Sequence, residues 1–199
     1  MTEEGRMEGL DVVACERCPR LVEARSRIVN GVGPADAAIL FVGEAPGATE
    51  DEQGEPFVGR SGGVLDEALG EYGLARRDVR ITNCVRCRPP ENRDPRAAER
   101  ANCRSYLDRE VAAVDPDLVV ALGKVPAEHL LDRDVAVTSE AGTVEEAAFG
   151  DGSWPVLVCL HPAATLYDRS QRSTFRETVG RAAAFVGATD GGQSRIDEF

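Results

Sequence analysis

The first residues that could do chemistry lie in a glycine-rich segment, GEAPGATEDEQGEPFVGRSG, at positions 43–62. This segment follows a short apolar run, and loops at the carboxyl ends of buried strands are where open α/β sheets bind ligands. Glu44 and Glu50 are acids that could activate or position water, and Phe57 could stack on a planar ligand. The segment matches neither of the two common glycine-rich nucleotide motifs. A plain connection with solvated acids is the alternative interpretation.

Two further polar residues lie in or just after apolar runs. Asn83 lies in ITNCVRC, and its amide needs a partner because an unsatisfied buried amide costs about 1–3 kcal/mol. The amide is both donor and acceptor, which suits it to reading the edge of a base, although a bond to neighbouring backbone is equally compatible. His161 lies in CLHPAATL, between an apolar run and a polar loop that contains arginine. That position strengthens the case for a catalytic role, although a lone histidine is more often structural.

Six cysteines in a chain without an export signal favour metal ligation or reduced thiols over disulfides. Spacing alone suggests a four-thiolate zinc site made of two Cys-x2-Cys pairs, Cys15, Cys18, Cys84 and Cys87. Alternation along a strand argues against Cys84, because it would point away from the Asn83 face into an apolar layer. The preferred set is therefore Cys15, Cys18, Cys87 and Cys103. Four thiolates can hold zinc or an iron-sulfur cluster, and spacing does not choose between them.

The elements that must position these residues alternate between short apolar segments and helical patterns. The apolar segments, each predicted to be a buried strand, are residues 37–42, 79–85, 118–122 and 156–160. Their order predicts an α/β, single-domain, three-layer fold with a central four-stranded parallel sheet flanked by helices. We expect this domain to cover residues 1–186, with an acidic loop or short hairpin at 132–153 and a disordered tail at 187–199. Residues that follow the strands then converge on one cleft.

The composition predicts an acidic surface that is poor in lysine. The formal net charge is -12, and one lysine, Lys124, stands against 22 arginines. This balance resembles that of halophilic proteins, although a GC-rich genome could also favour arginine over lysine. In molar salt the Debye length falls to roughly 3 Å, so repulsion from DNA phosphates is weak. An acidic surface therefore does not exclude DNA binding. No apolar run approaches the roughly 18 residues of a membrane span, so we expect a soluble, cytoplasmic monomer with no membrane partner.

Together these segments resemble the iron-sulfur uracil-DNA glycosylases, the type 4 family of the uracil-DNA glycosylase superfamily. The resemblance covers most of residues 12–186. It rests on five motifs in the family order, which are CERC, GEAPGATEDEQGEPFVGRSG, ITNCVRCRPPENRDP, the Cys87-x15-Cys103 spacing and LHPAATL. It implies excision of uracil from single- or double-stranded DNA, which leaves an abasic site for base excision repair. It also implies a structural [4Fe-4S] cluster on Cys15, Cys18, Cys87 and Cys103.

The resemblance further implies which residues bind the base. The enzyme must take uracil out of the stack, and Phe57 would then stack on it. Asn83 would bond O4 and N3–H, a pattern that cytosine cannot match. Main-chain groups of Gly43 would help to hold the base, and Glu50 would fill the space beside uracil C5 and so exclude thymine.

Roles in the reaction and in DNA binding are implied in the same way. His161 would donate to uracil O2 as the base leaves, and Glu44 would orient or activate the attacking water. The segment after His161 would enter the minor groove, with Asp168 among its DNA contacts. The arginines implied as phosphate ligands are Arg86, Arg88, Arg93 and Arg169.

The sequence is also compatible with two other classes of protein. A non-catalytic iron-sulfur or zinc DNA-binding module would need the cysteines but not Glu44, Asn83 and His161. An electron-transfer protein would need a cluster that cycles at an accessible potential. Within the enzyme class, Glu44 favours type 4, because the equivalent motif of the type 5 relatives lacks the acid.

Overall fold

The structure is a computed structural model that describes residues 9–189. Within that range the strands are β1 (Ile39–Gly43), β2 (Arg80–Asn83), β3 (Leu118–Leu122), β4 (Val144–Phe149) and β5 (Gly152–Cys159). The helices are α1 (Pro19–Ala24), α2 (Ala48–Gln53), α3 (Arg60–Glu71), α4 (Ala97–Val114), α5 (Lys124–Leu131), α6 (Val137–Glu140), α7 (Ala164–Tyr167) and α8 (Arg172–Thr189). Short 3-10 turns cover Arg76–Asp78, Pro90–Asn92 and Arg169–Gln171.

The strands form one sheet in the order β2-β1-β3-β5-β4. Strands β2, β1, β3 and β5 are parallel, and β4 pairs antiparallel with β5 at the edge. The predicted α/β fold with a parallel sheet between helices is confirmed, but the count of four strands is one too few. The extra strand belongs to a hairpin in the acidic stretch. Glu145 and Glu146 are exposed there while Ala147 and Phe149 are buried, so the acids at the start of this edge strand mask its apolar residues.

The sheet separates two apolar layers. Leu40 and Val42 of β1 pack toward α4 and α5, whereas Ile39 and Phe41 pack toward α3 and α8. All residues of β1 and β3 are buried, which is why these central parallel strands read as continuous apolar runs. Helix α8 continues through residues 187–189, where a tail is expected, and residues 190–199 lie outside the described range. No helix of residues 9–189 is long and apolar enough to cross a membrane.

A buried ionic network joins the edge strand β2 to α4. The Glu110 carboxylate accepts from Arg80 Nε at 2.7 Å, from Arg86 Nη2 at 2.8 Å and from Thr82 Oγ1 at 2.8 Å. Arg80 also donates to backbone carbonyls in the loop at residues 31–33. All four side chains are buried, so the network fixes the strand from which Asn83 emerges.

Candidate active site and thiol cluster

A cavity of about 540 Å³ opens at the carboxyl edge of the sheet. Gly43 and Asn83 are register partners at the ends of β1 and β2, and His161 follows β5 by two residues. Glu44 and Phe57 reach the same cavity from the glycine-rich segment. Residues that lie in three separate stretches of sequence are thus brought together, because parallel strands end at the same edge of a sheet.

Gly43 is required by the close approach of two cavity residues. A Cβ at this position would overlap with both Oδ1 of Asn83 and the ring of Phe57. Asn83 is 4% exposed and Phe57 is 5% exposed, so neither side chain can swing away into solvent. Glycine therefore lets the amide and the aromatic ring share one small space.

Phe57 is held in an unusual backbone conformation. Its φ of 56° lies in the left-handed region, which costs a non-glycine residue on the order of 1–3 kcal/mol. The guanidinium of Arg76 donates to the carbonyl of Pro56 at 2.6 Å and to that of Phe57 at 2.9 Å. Arg76 thereby supports the turn that presents the ring to the cavity. No motif or periodic pattern in the sequence links Arg76 to residue 57, so its role is visible only in the folded chain.

The imidazole of His161 is oriented by its own loop. Its Nδ1 accepts a hydrogen bond from the backbone N–H of Ala163 at 3.1 Å. Burial lowers the pKa of His161 to about 4, so the ring is neutral at neutral pH. A neutral imidazole whose Nδ1 is an acceptor carries its proton on Nε2. His161 is therefore a fixed N–H donor, and its ring centroid lies 5.8 Å from that of Phe57.

Glu44 is the acid with the most perturbed ionisation in the cavity. Burial raises the pKa of Glu44 to about 7, and the nearby carboxyl group of Asp94 adds to the increase while Arg100 opposes it. A carboxyl group that ionises near neutral pH is suited to general base catalysis. Asp94 lies in the loop after β2 and also lines the cavity, yet sequence analysis did not identify it. The sequence feature that points to Asp94 is its position in ITNCVRCRPPENRDP, the motif that also contains Asn83.

Glu50 lines the cavity, but both of its carboxylate oxygens accept hydrogen bonds from the backbone of its own loop. One carboxylate oxygen accepts from the N–H of Gly47 and the other from the N–H of Gly59, both at 3.1 Å. The next residue, Asp51, accepts two bonds of 2.9 Å from the N–H of Ser26. These two buried acids close the glycine-rich segment on itself and attach it to the preceding chain.

Four of the six cysteines gather beside this segment. Cys87 and Cys103 are buried together, with Cys18 packed against them, and Cys15 is near enough to raise the pKa of both buried thiols. Cys84 lies in the α4 and α5 layer instead, as strand alternation predicts. Cys159 lies in the opposite apolar layer.

Hydrogen-bond donors surround the gathered sulfurs. Arg25 donates to Cys87 Sγ at 2.9 Å and to the carbonyl of Cys15 at 2.8 Å. Asn102 donates to Cys18 Sγ at 3.4 Å, and the nearby Cys15 raises the pKa of Tyr106. Such donors stabilise metal-bound thiolates, so the donor set fits a thiolate-ligated group. Within residues 9–189, no three Cys, His, Asp or Glu side chains are already arranged around a metal position.

Comparison with known proteins identifies the family. The model of the uracil DNA glycosylase superfamily matches residues 30–183, a range that includes the whole sheet and the cavity. The chain belongs to this superfamily. A type-4 uracil-DNA glycosylase of Archaeoglobus fulgidus is 39% identical over 190 residues, which cover 91% of this chain and 95% of the relative. One of Thermotoga maritima is 38% identical, with 88% and 91% covered.

More distant members of the superfamily also match. A type-5 uracil-DNA glycosylase of Pyrobaculum aerophilum is 33% identical over 210 residues, which cover 88% of this chain and 91% of the relative. The resemblance predicted from the five motifs is therefore confirmed.

In this superfamily member, the four arginines expected at DNA phosphates have different surroundings. Arg86 is buried, with its guanidinium bound to Glu110, so the expectation that it contacts phosphate is wrong. Arg93 pairs with Glu99 at 2.6 and 2.8 Å, and Arg88 bonds within its own loop. Arg169 is exposed on the 3-10 turn that follows α7. The burial of Arg86 could not be predicted from the sequence, because its counter-charge is Glu110, 24 residues further along the chain.

Proposed function

We propose that this chain is a monofunctional type-4 uracil-DNA glycosylase, which hydrolyses the bond between uracil and deoxyribose and leaves an abasic site for base excision repair. The observation that carries the proposal is the convergence of a neutral N–H donor, an amide, an aromatic ring and a carboxyl group on one cavity. The type-4 uracil-DNA glycosylases of Archaeoglobus fulgidus and Thermotoga maritima, to which the chain is similar, support the same substrate class. The chain would act on single- or double-stranded DNA as a monomer.

Base recognition would take place against Asn83 and Phe57. A base inside the stack cannot reach the cavity, so the target nucleotide must rotate out of the DNA. Phe57 then offers its ring as a stacking surface. The Asn83 amide accepts from uracil N3–H and donates to O4, whereas cytosine presents an acceptor and a donor at the corresponding positions. The main chain of Gly43 can approach the base because no side chain stands in the way.

His161 and Glu44 would carry the reaction. A bond forms between the water oxygen and C1′ of the sugar while the bond from C1′ to uracil N1 breaks, and its electron pair leaves with uracil. The Nε2–H of His161 donates to uracil O2 and stabilises the negative charge that develops there. Glu44 orients the water and accepts its proton. Glu50 would exclude thymine only indirectly, through the loop shape that its two backbone bonds maintain.

The cysteines would hold the iron-sulfur cofactor that the type-4 resemblance implies. Cys15, Cys18, Cys87 and Cys103 are the proposed ligands of a [4Fe-4S] cluster. When bound, the cluster would act structurally and cross-link the segment before α1 to the loop after β2. Arg25 would offset the negative charge of the thiolates through its bond to Cys87 Sγ.

We expect Arg25→Ala to weaken retention of the cluster, because the bond to Cys87 Sγ and the bond to the Cys15 carbonyl are both lost. Outer-shell partners of metal ligands are typically worth about 10–100-fold in metal affinity. The measurement is the rate at which anaerobically purified protein loses iron to a chelator, followed by visible absorbance. Arg20→Ala, an exposed change on α1, is the matched control. Equal rates of iron loss in the two variants would contradict the role of Arg25.

Replacement of Asn83 with aspartate should weaken discrimination against cytosine. A carboxylate can accept from the cytosine amino group, and it no longer donates to uracil O4 as the amide does. We expect the ratio of uracil to cytosine excision to fall by about 10-fold or more, since one well-placed bidentate pair is worth about 1–3 kcal/mol of discrimination. Asn92→Asp adds the same charge elsewhere on the cavity wall and serves as control. An unchanged ratio in Asn83→Asp removes the base-reading role.

The DNA would cross the rim of the cavity. Tyr167 lines this rim and is 91% exposed, and Asp168 and Arg169 follow it. We propose that this segment enters the minor groove, while Arg88, Arg93 and Arg169 contact phosphates. Arg93 would have to exchange part of its pairing with Glu99 for the phosphate contact.

A further inference from the structure

A second cavity, of about 310 Å³, shares helix α7 with the cavity that contains Asn83 and His161. Tyr167 of α7 lines the first cavity, whereas Thr165 and Leu166 line the second. The two cavities therefore lie on different sides of a helix of four residues, which is about 6 Å long. A DNA strand with one nucleotide in the first cavity passes close to the second.

The walls of the second cavity combine positive charge with a small apolar surface. Helix α8 contributes Arg172 and Arg176, which are four residues apart and so lie on one face of the helix. Both arginines are exposed. Val64 of α3 and Leu166 of α7 form a half-buried apolar part of the wall. Guanidinium groups bind phosphate with paired N–H donors, and a deoxyribose can pack on an apolar wall, so the cavity fits a sugar-phosphate unit.

Neither arginine is held by a strong ion pair. Within residues 9–189, Arg172 forms no ion pair; its Nε donates to the Thr165 carbonyl at 3.3 Å, which places its charge beside α7. Arg176 pairs with Glu71 at 3.2 Å, and both side chains are at least 40% exposed. Such exposed pairs are weak, so a phosphate can replace Glu71 as the partner of Arg176. Glu67 also lines the cavity, but it is exposed to screening by water.

The chain around this cavity is basic although the protein is acidic. Residues 163–181 contain four arginines and two acids, in a chain of formal net charge -12. One of these acids, Asp168, accepts from the Ser170 N–H at 2.9 Å and from Gln171 Nε2 at 3.1 Å. The local excess of positive charge therefore lies beside α7, on the side of the molecule where the first cavity opens.

We propose that the second cavity is a phosphate subsite, in which Arg172 and Arg176 bind a backbone phosphate of the DNA strand next to the extruded uracil. The apolar wall receives the deoxyribose of that nucleotide. This inference rests on the proposed function, which supplies the DNA substrate. Phosphate contacts fix the register of a protein on nucleic acid, and neither arginine lines the first cavity. The subsite therefore contributes to affinity for the strand and not to the bond-breaking step.

The experiment measures, by fluorescence anisotropy at several KCl concentrations, binding of a labelled single-stranded oligonucleotide that carries a stable abasic analogue. In Arg176→Gln the dissociation constant in dilute salt should rise about 10-fold, the usual effect of losing a charge-assisted hydrogen bond. The slope of log affinity against log salt should become shallower by about 0.7, the share of one phosphate contact on a single strand. The maximal single-turnover rate of uracil excision should stay within about twofold of wild type.

Two variants control for stability and for charge. Glu71→Gln breaks the same ion pair as Arg176→Gln but removes a competitor of the phosphate, so binding should tighten. Arg109→Gln removes an exposed positive charge on α4, across the sheet from α8, and should change the dissociation constant by less than about twofold. Equal weakening in Arg109→Gln and Arg176→Gln overturns the inference, because binding would then follow net charge. Wild-type affinity and salt slope in Arg176→Gln, with normal excision, also overturn it and leave the glycosylase activity standing.

Neutral methylphosphonate linkages locate the bound phosphate. They replace each phosphate near the abasic position in turn, and in wild type one replacement should weaken binding by about 10-fold. In the double variant Arg172→Gln with Arg176→Gln, the same replacement should cost less than about twofold, because its partners are already absent. Equal costs at every position in the two proteins exclude the subsite. If wild type shows the expected pattern but leaves uracil in its DNA, the subsite stands and the proposed function fails.

Discussion

Replacing His161 with alanine is expected to lower the single-turnover rate of uracil excision by about 10²–10³-fold, the usual loss when one donor to a developing anion is removed. The donor is preorganised, because the Ala163 N–H binds Nδ1 and leaves the proton on Nε2. Burial keeps the pKa of His161 near 4, so the lost interaction is that of a neutral N–H and not of an ion pair. The loss should therefore be nearly constant from neutral to alkaline pH.

The measurement compares His161→Ala with His129→Gln, a change at the other histidine of the chain. His129 lies on α5 and is not among the residues that line the cavity, and its Nε2 is buried without a hydrogen-bond partner, so loss of that nitrogen breaks no hydrogen bond. His129→Gln should excise uracil at close to the wild-type rate. If His161→Ala stays within about threefold of wild type, far from the loss typical of such donors, O2 stabilisation by His161 is excluded.

The second large effect is on stability: Glu110→Ala should reduce the free energy of unfolding by about 3–5 kcal/mol, the typical result of breaking a buried ion pair. Glu110 accepts from Arg80 and Arg86, and the side chains of all three are at most 4% exposed. Alanine would leave two buried guanidinium groups without their counter-charge. The edge strand β2 should loosen first, and with it the position of Asn83.

Urea unfolding followed by circular dichroism tests this expectation. Glu71→Ala is the control, because Glu71 pairs with Arg176 at 3.2 Å on the surface, where both side chains are at least 40% exposed. Such a pair contributes about 0–1 kcal/mol. Equal loss of stability in the two variants would show that the buried network is not what holds β2 against α4.

Much of the fold followed from the sequence because central parallel strands are covered on both faces. Residues 118–122 were delimited correctly by their apolar character alone, and β1 was placed within two residues at its start. The alternation of side chains also separated Asn83 from Cys84, which lies in the layer beside α4. Strand β4 was predicted only as an acidic loop or short hairpin, because the exposed Glu145 and Glu146 interrupt the apolar pattern at the start of this edge strand.

The site was predictable where a residue lies at the end of a strand. Glu44, Asn83 and His161 come together because parallel strands share a carboxyl edge. Asp94 and Arg76 lie in irregular segments, and only the folded chain shows which residues they meet. Arg86 was misassigned for the same reason: an arginine reads as a surface cation until its buried partner, Glu110, is known.

The most direct test of the central claim is uracil excision by the wild-type protein. Cluster-loaded protein is incubated with end-labelled oligonucleotides that carry uracil, thymine or cytosine at one position, and alkali then cleaves any abasic site. We predict cleavage at uracil alone, with release of free uracil and with no strand break before the alkali treatment. Intact uracil-containing strands, with the cluster present and the protein folded, would contradict the account and favour a non-catalytic DNA-binding module.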